Sequence, residues 1–174
     1  MGLDPCHVQK ATVMLNMPSF ARDLKPGEEG VVDDLLRAAF GGPAEAQLVH
    51  KLRRSRAIAG EQVMPMGDRI VGYYALSYLR KPKGWLALAP VAIAPDVQGR
   101  GYGKRMMGML SEWARLTRTP VVVLGPLGFY TKAGFSHEAT QNLTSPYPAA
   151  HLSVAGVSDA PQHDLIYPQA FDGI

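Results

Sequence analysis

The chain has 174 residues, 47% of them hydrophobic and 19% charged, with a formal net charge of +3 at pH 7. That balance excludes a disordered or collagen-like chain and leaves the length of one globular domain, able to bury about two-thirds of its unfolded surface. The single cysteine, Cys6, excludes an internal disulfide framework; with no run near the ~20 apolar residues of a membrane span and no secretory signal pattern, the expectation is a soluble, cytoplasmic protein with no membrane partner.

Residues 1–17 carry mixed signals and read as a loosely attached lead-in to a single domain over 18–174. Phe20 to Leu24 reads as a first strand. Lys25-Pro26-Gly27-Glu28-Glu29 opens a helix, since proline and acids suit a helix N-terminus. Val31, Leu35, Leu36 and Ala39 recur at helical spacing, and Gly41-Gly42-Pro43 stops the helix. A second helix runs over about Ala44 to Ser55, with Leu48, Val49 and Leu52 on one face. The period then changes. Gln62 to Met66 and Ile70 to Leu79 read as hairpin strands across Gly67-Asp68, with the turn type open. Trp85 to Ala94 is a fourth strand, in which Pro90, lacking an N–H, marks a bulge or a splayed strand. The helix from Met106 to Leu116 puts Met106, Met107, Leu110, Trp113 and Ala114 on one apolar face. Val121 to Leu124 is a fifth strand; Pro146, Pro148 and Pro161 interrupt the pattern before a last strand at Asp164 to Tyr167.

Between the fourth strand and its helix lies Gln98-Gly99-Arg100-Gly101-Tyr102-Gly103-Lys104-Arg105. Three glycines in six residues at a helix start present bare backbone N–H groups to a phosphate, and Arg100, Lys104 and Arg105 add positive charge. The spacing is one residue short of a P-loop, and Arg105 stands where that loop needs a hydroxyl. Neither frame of the dinucleotide G-x-G-x-x-G closes, because Lys104 and Met106 occupy the third glycine positions. The pattern that closes is Q-x-x-G-x-G.

A second motif, Phe129-Tyr130-Thr131-Lys132-Ala133-Gly134-Phe135, follows the fifth strand, with Gly134 placed to end a short helix and Phe129 and Phe135 placed to pack as core. With the glycine loop before it, this chain resembles the GNAT superfamily of acetyl-CoA-dependent N-acetyltransferases over roughly residues 19–138. Within it the chain is most similar to a bacterial subgroup of small members, on Ala44 to Arg53 and on Leu124-Gly125. The resemblance implies an α/β fold: a mixed β-sheet flanked by helices in the order β-α-α-β-β-β-α-β-α-β. It implies acetyl-CoA as cosubstrate and transfer of an acetyl group to a primary amine, on a small molecule or a protein. Gln98, Gly99, Arg100, Gly101, Tyr102, Gly103, Lys104 and Arg105 would hold the diphosphate, and backbone at Val91 and Ile93 the pantetheine arm. Tyr130 would lie near the CoA sulfur, as general acid or as a hydrogen-bond donor that only orders the thioester.

Two departures qualify the resemblance. Gly125-Pro126-Leu127 offers no asparagine after strand five, and strand four holds no acidic base. Glu45 and His50 on the second helix, which in this family often borders the acceptor site, are the candidates for the acceptor side or the general base; the alternatives are an ordinary structural or solvated side chain for each, and a water chain in place of any single base. The histidines show no metal-ligand spacing, so no metal is expected. The competing reading is a catalytically weak CoA-binding sensor or partner module. Nucleic-acid binding through Lys51 to Arg56 lacks the interleaved aromatics it needs and is not expected.

Overall fold

The computed structural model describes residues 20–173; the expected lead-in over 1–17, with Cys6, lies outside them. In chain order the main elements are β1 (Arg22–Asp23), α1 (Glu29–Phe40), α2 (Ala44–Arg54), β2 (Ile58–Met66), β3 (Arg69–Tyr78) and β4 (Leu86–Ile93). They continue with α3 (Tyr102–Thr117), β5 (Val121–Leu124), α4 (Leu127–Lys132), β6 (Leu143–Thr144), β7 (Leu152–Ala155) and β8 (His163–Asp164). Six strands form one mixed sheet in the order β1-β2-β3-β4-β5-β7, antiparallel except for the β4–β5 pair.

The β2–β3 hairpin turns on Gly67-Asp68, between the paired Met66 and Arg69. Only Gly67 of the two has a positive φ, +63°, the pattern of a type II′ turn, and this resolves the turn that glycine-before-aspartate leaves open in the sequence. Side chains alternate across the sheet. Glu61 and Tyr73 face α1 and α2, with Arg53 of α2 reaching Glu61. Gln62, Tyr74 and Leu76 face α3, where they share a cavity with Leu110. Beneath the helices a continuous core runs from Val32, Leu36 and Val49 through Val63, Tyr73 and Ala75 to Met106, Met107 and Leu110.

Several elements differ from the sequence expectation. β2 begins four residues early, at Ile58, because Ile58 to Glu61 pair with Ser77 to Ala75 although they lack clean alternation. In α1 it is Val32 that is buried, while Val31 is 48% exposed. Trp113, expected on the buried face of α3, is 43% exposed. The final strand of the sheet is Leu152–Ala155, paired antiparallel with β5. The segment expected as a last strand instead contributes β8, which pairs with β6 in a separate two-stranded ribbon, and Ile166 bridges to Lys81. Leu-Ser-Val-Ala is too short to signal a strand alone; β5's free edge selects it.

Candidate active site

The site is made by two irregularities of β4. Tyr74 faces Val91 and Leu76 faces Leu88, so Ala89 and Pro90 together oppose the single residue Ala75. The extra residue shifts the alternation, so Val91 and Ile93 face the side of Leu86 and Leu88. This is the bulge expected at Pro90. On its other edge β4 pairs with β5 only at Leu86 to Leu88, against Val121 to Val123. Beyond that point the ladder ends, although β4 continues to Ile93.

The cleft so opened holds a cavity of about 510 Å³. One end is the glycine loop. Gly99 and Gly101 have φ of +77° and +84°, and Gly101 is the N-cap of α3. No side chain caps this helix. The Arg105 N–H bonds to the Gly101 carbonyl at 3.0 Å, so the preceding amides of Tyr102, Gly103 and Lys104 have no intrahelical acceptor. Three free N–H groups at the positive end of a sixteen-residue helix form an anion seat, and Lys104 lines it. Gln98 lines the same cavity while its amide Nε2 donates to the Ile93 carbonyl at 2.9 Å, tying the loop to β4.

At the other end stands Tyr130 on α4. Its ring is 7% exposed and meets Phe129 and Phe135 edge to face, at 5.0 and 5.5 Å between centroids. Burial pushes its hydroxyl up to about 12. It therefore stays protonated, and a hydrogen-bond donor, throughout the neutral range.

Of the thirteen residues singled out in sequence, this cavity gathers Val91, Ile93, Gln98, Gly99, Gly101, Tyr102, Gly103, Lys104 and Tyr130. Arg100 and Arg105 stand outside it. The Arg100 guanidinium approaches the Asp96 carbonyl at 3.5 Å, and Arg105 lies over the Phe20 ring at 5.2 Å. Glu45, half-buried in the first turn of α2, is not among the lining residues. Nor is His50, whose Nε2 lies 2.6 Å from Asp33 Oδ2 on α1. Two lining residues were missed, Val97 and Phe129. Phe129, expected in the core, is 36% exposed; on a six-residue helix, adjacent Phe129 and Tyr130 cannot both face inward.

Fold and cavity together define an α/β protein with an anion-seating cleft where β4 parts from β5. The profile of the acetyltransferase (GNAT) family matches residues 31–135, and the chain belongs to that family. It is 29% identical over 125 residues to the uncharacterized N-acetyltransferase YhbS of Escherichia coli K12, covering 67% of this chain and 73% of YhbS. The crystal structure of the Escherichia coli GNAT family N-acetyltransferase YhbS in complex with CoA superposes with a TM-score of 0.79 at 22% identity, covering 99% of this chain and 96% of that one. A GNAT family acetyltransferase from Brucella melitensis in complex with acetyl-CoA gives a TM-score of 0.74 at 26% identity, covering 90% and 99%.

Proposed function

We propose that this chain transfers the acetyl group of acetyl-CoA directly to a primary amine. The observation that carries the reading is the single cavity with free α3 amides and Lys104 at one end, Tyr130 at the other, and Val91 and Ile93 between. The solved relatives, which hold CoA or acetyl-CoA, support it.

In this reading the diphosphate lies on the amides between Gly99 and Lys104, and the pantetheine arm runs along Val91 and Ile93. A neutral amine attacks the thioester carbonyl carbon, the C–N bond forms, and the electron pair of the C=O bond moves to oxygen. Backbone N–H groups of β4 beyond the β5 ladder, which β5 leaves unpaired, would stabilise that oxyanion. As the carbonyl re-forms, the C–S bond breaks and the thiolate leaves. Burial raises the Tyr130 hydroxyl to about 12, and the same desolvation raises a thiol seated beside it, so Tyr130 stays protonated and able to donate to the sulfur. Both expected roles of Tyr130 stay open in this reading: general acid to the departing sulfur, or a hydrogen-bond donor that only orders the thioester. Among the described residues no Asp, Glu or His lines the cavity, so in this reading the proton released by the amine leaves through water or through an acceptor-side group outside that lining. Glu45 and His50 remain acceptor-side candidates only.

That same lack of a base favours a second reading, a CoA-binding module with little turnover. The two separate in one series. Thermal unfolding with acetyl-CoA, CoA and ATP tests the cavity: ligand at ~100 times its dissociation constant adds about 2.7 kcal/mol, and ATP is expected to add none. Thiol release from acetyl-CoA across amines of different classes then tests transfer. A shift without thiol release establishes the module; neither sinks both readings. Among the described residues no helix is long and apolar enough to cross a membrane. A bacterial, cytoplasmic enzyme, where acetyl-CoA is supplied, accords with this and with the relatives' sources.

A further inference from the structure

A second cavity, of about 390 Å³, lies further along α3, at Met109 and Trp113. These residues are seven to eleven positions beyond Tyr102, roughly 10–17 Å along the helix axis from the glycine loop. Tyr74 and Leu86 form its apolar floor, α3 its wall, and Asp23 and Gln62 its rim. It shares no lining residue with the acetyl-transfer cleft, and the present inference does not depend on that activity.

The charge of this cavity has one sign. Among the described residues Asp23 is the only charged one lining it. The Asp23 carboxylate accepts a hydrogen bond from the Gln62 amide, a neutral partner that leaves its charge in place. The adjacent Arg22 does not neutralise it: that guanidinium is engaged with both carboxylate oxygens of Glu28, at 2.7 and 3.0 Å, and with the backbone carbonyl of Asp23. Asp23, Gln62 and Tyr74 stand in register across β1, β2 and β3, and burial, then the Asp23 charge, pushes the Tyr74 hydroxyl up to about 12. Trp113, 43% exposed, lines the same cavity. An anion would meet Asp23 unpaired. A cation with an apolar body meets a carboxylate, an indole and a phenol ring, and an aliphatic floor, the combination that holds organic ammonium ions. The volume falls within the ~300–1,000 Å³ of small-molecule sites.

We infer that the cleft between β2, β3 and the outer half of α3 is a binding site for an organic ammonium ion with an aromatic or alkyl body, its charge on Asp23 and its body against Trp113 and Tyr74.

The test uses 2-phenylethylammonium and its neutral isostere 2-phenylethanol on the full chain saturated with CoA. The readout is tryptophan emission. Trp113 reports the cavity; the chain's other tryptophan, Trp85, is 8% exposed and does not line it. The expected result is a saturable change with the ammonium and at least tenfold weaker binding of the alcohol, a discrimination that Asp23→Asn reduces to near unity. Asp23→Asn should keep its CoA-induced thermal shift, which shows that the variant is folded. No saturable change overturns the inference, as does equal binding of the two probes. Discrimination that survives Asp23→Asn also overturns it, since the cation then binds elsewhere.

Discussion

Gly125 lies directly beneath the ring of Tyr130: a Cβ placed on Gly125 would stand 2.5 Å from Tyr130 Cε2. The position after β5, where the family often carries an asparagine, is here given over to the seat of the aromatic ring. Gly125→Ala should therefore displace Tyr130 without touching the glycine loop. We expect a fall in kcat of ten- to a hundred-fold, from ring displacement on the order of 1 Å, with CoA affinity nearly retained and ~1–3 kcal/mol lost from stability. Steady-state kinetics beside CoA titration checks this; an unchanged kcat would detach Tyr130 from the chemistry.

Tyr130→Phe removes the hydroxyl and leaves the stacking on Phe129 and Phe135. If Tyr130 stabilises the leaving thiolate by one hydrogen bond to charge, the loss is ~1.5–3 kcal/mol of the barrier, or roughly ten- to a hundred-fold in kcat. A loss near 10⁴-fold would instead mark Tyr130 as the general acid.

Gly101 caps α3 at φ +84°, and nothing lies within 4 Å of a Cβ placed there. Substitution acts through the backbone alone. Gly101→Ala costs about 1–2 kcal/mol if the loop holds its left-handed form, and otherwise turns the free amides away from their ligand. The expectation is CoA binding weakened at least tenfold. Lys104→Ala should weaken it too, whereas Arg105→Ala should do so less, because Arg105 lies over Phe20 outside the cavity. Equal effects at Lys104 and Arg105 would return Arg105 to the phosphate site.

The glycine loop and the Phe129–Phe135 motif were legible because each is contiguous, and short-range chemistry fixes each: glycines for positive φ at Gly99 and Gly101, and a C-terminal glycine, Gly134, at φ +99°. β5 was read with its observed bounds because four apolar residues, three of them valines, bury on both sides. What depended on distant partners was not legible. β7 exists because β5 offers an edge, and Trp113 is exposed because a cavity separates its part of α3 from the sheet. The contacts of Arg100 and Arg105 were not legible for the same reason: their partners, the Asp96 carbonyl and the Phe20 ring, are set by the fold and not by the motif.

The buried tyrosines predict alkaline instability. Burial drives Tyr74, Tyr130 and Tyr167 up to about 12, and burial followed by the Glu61 hydrogen bond drives Tyr73 higher still. Unfolded tyrosines release their protons near pH ~10, so above that pH the unfolded state binds fewer protons than the folded state, and stability falls as pH rises. The contribution is fully present below pH ~10 and declines by about 1.4 kcal/mol per pH unit for each such tyrosine between ~10 and ~12. Denaturant melts at pH 8 to 11 check it; a midpoint constant to pH 11 contradicts it.

Glu61 holds the opposite face of the sheet to α2. Its Oε1 accepts from Arg53 Nη2 at 2.7 Å and from the Tyr73 hydroxyl at 2.6 Å, and Tyr73 is fully buried. Glu61→Ala strands a guanidinium whose side chain is only 21% exposed and a phenol with no water access. Removing one partner of a largely buried pair costs more than the pair contributes, here ~2–4 kcal/mol after allowing for partial exposure. For a chain of this length that lowers the melting temperature by roughly 4–16 °C. Glu61→Gln keeps an oxygen acceptor for Tyr73 and should lose less. Because this cluster faces α1 and α2, while the cleft opens toward α3 and α4, CoA affinity should survive in both folded variants. A large affinity loss in Glu61→Gln at intact stability would show that the cluster reaches through the sheet to β4.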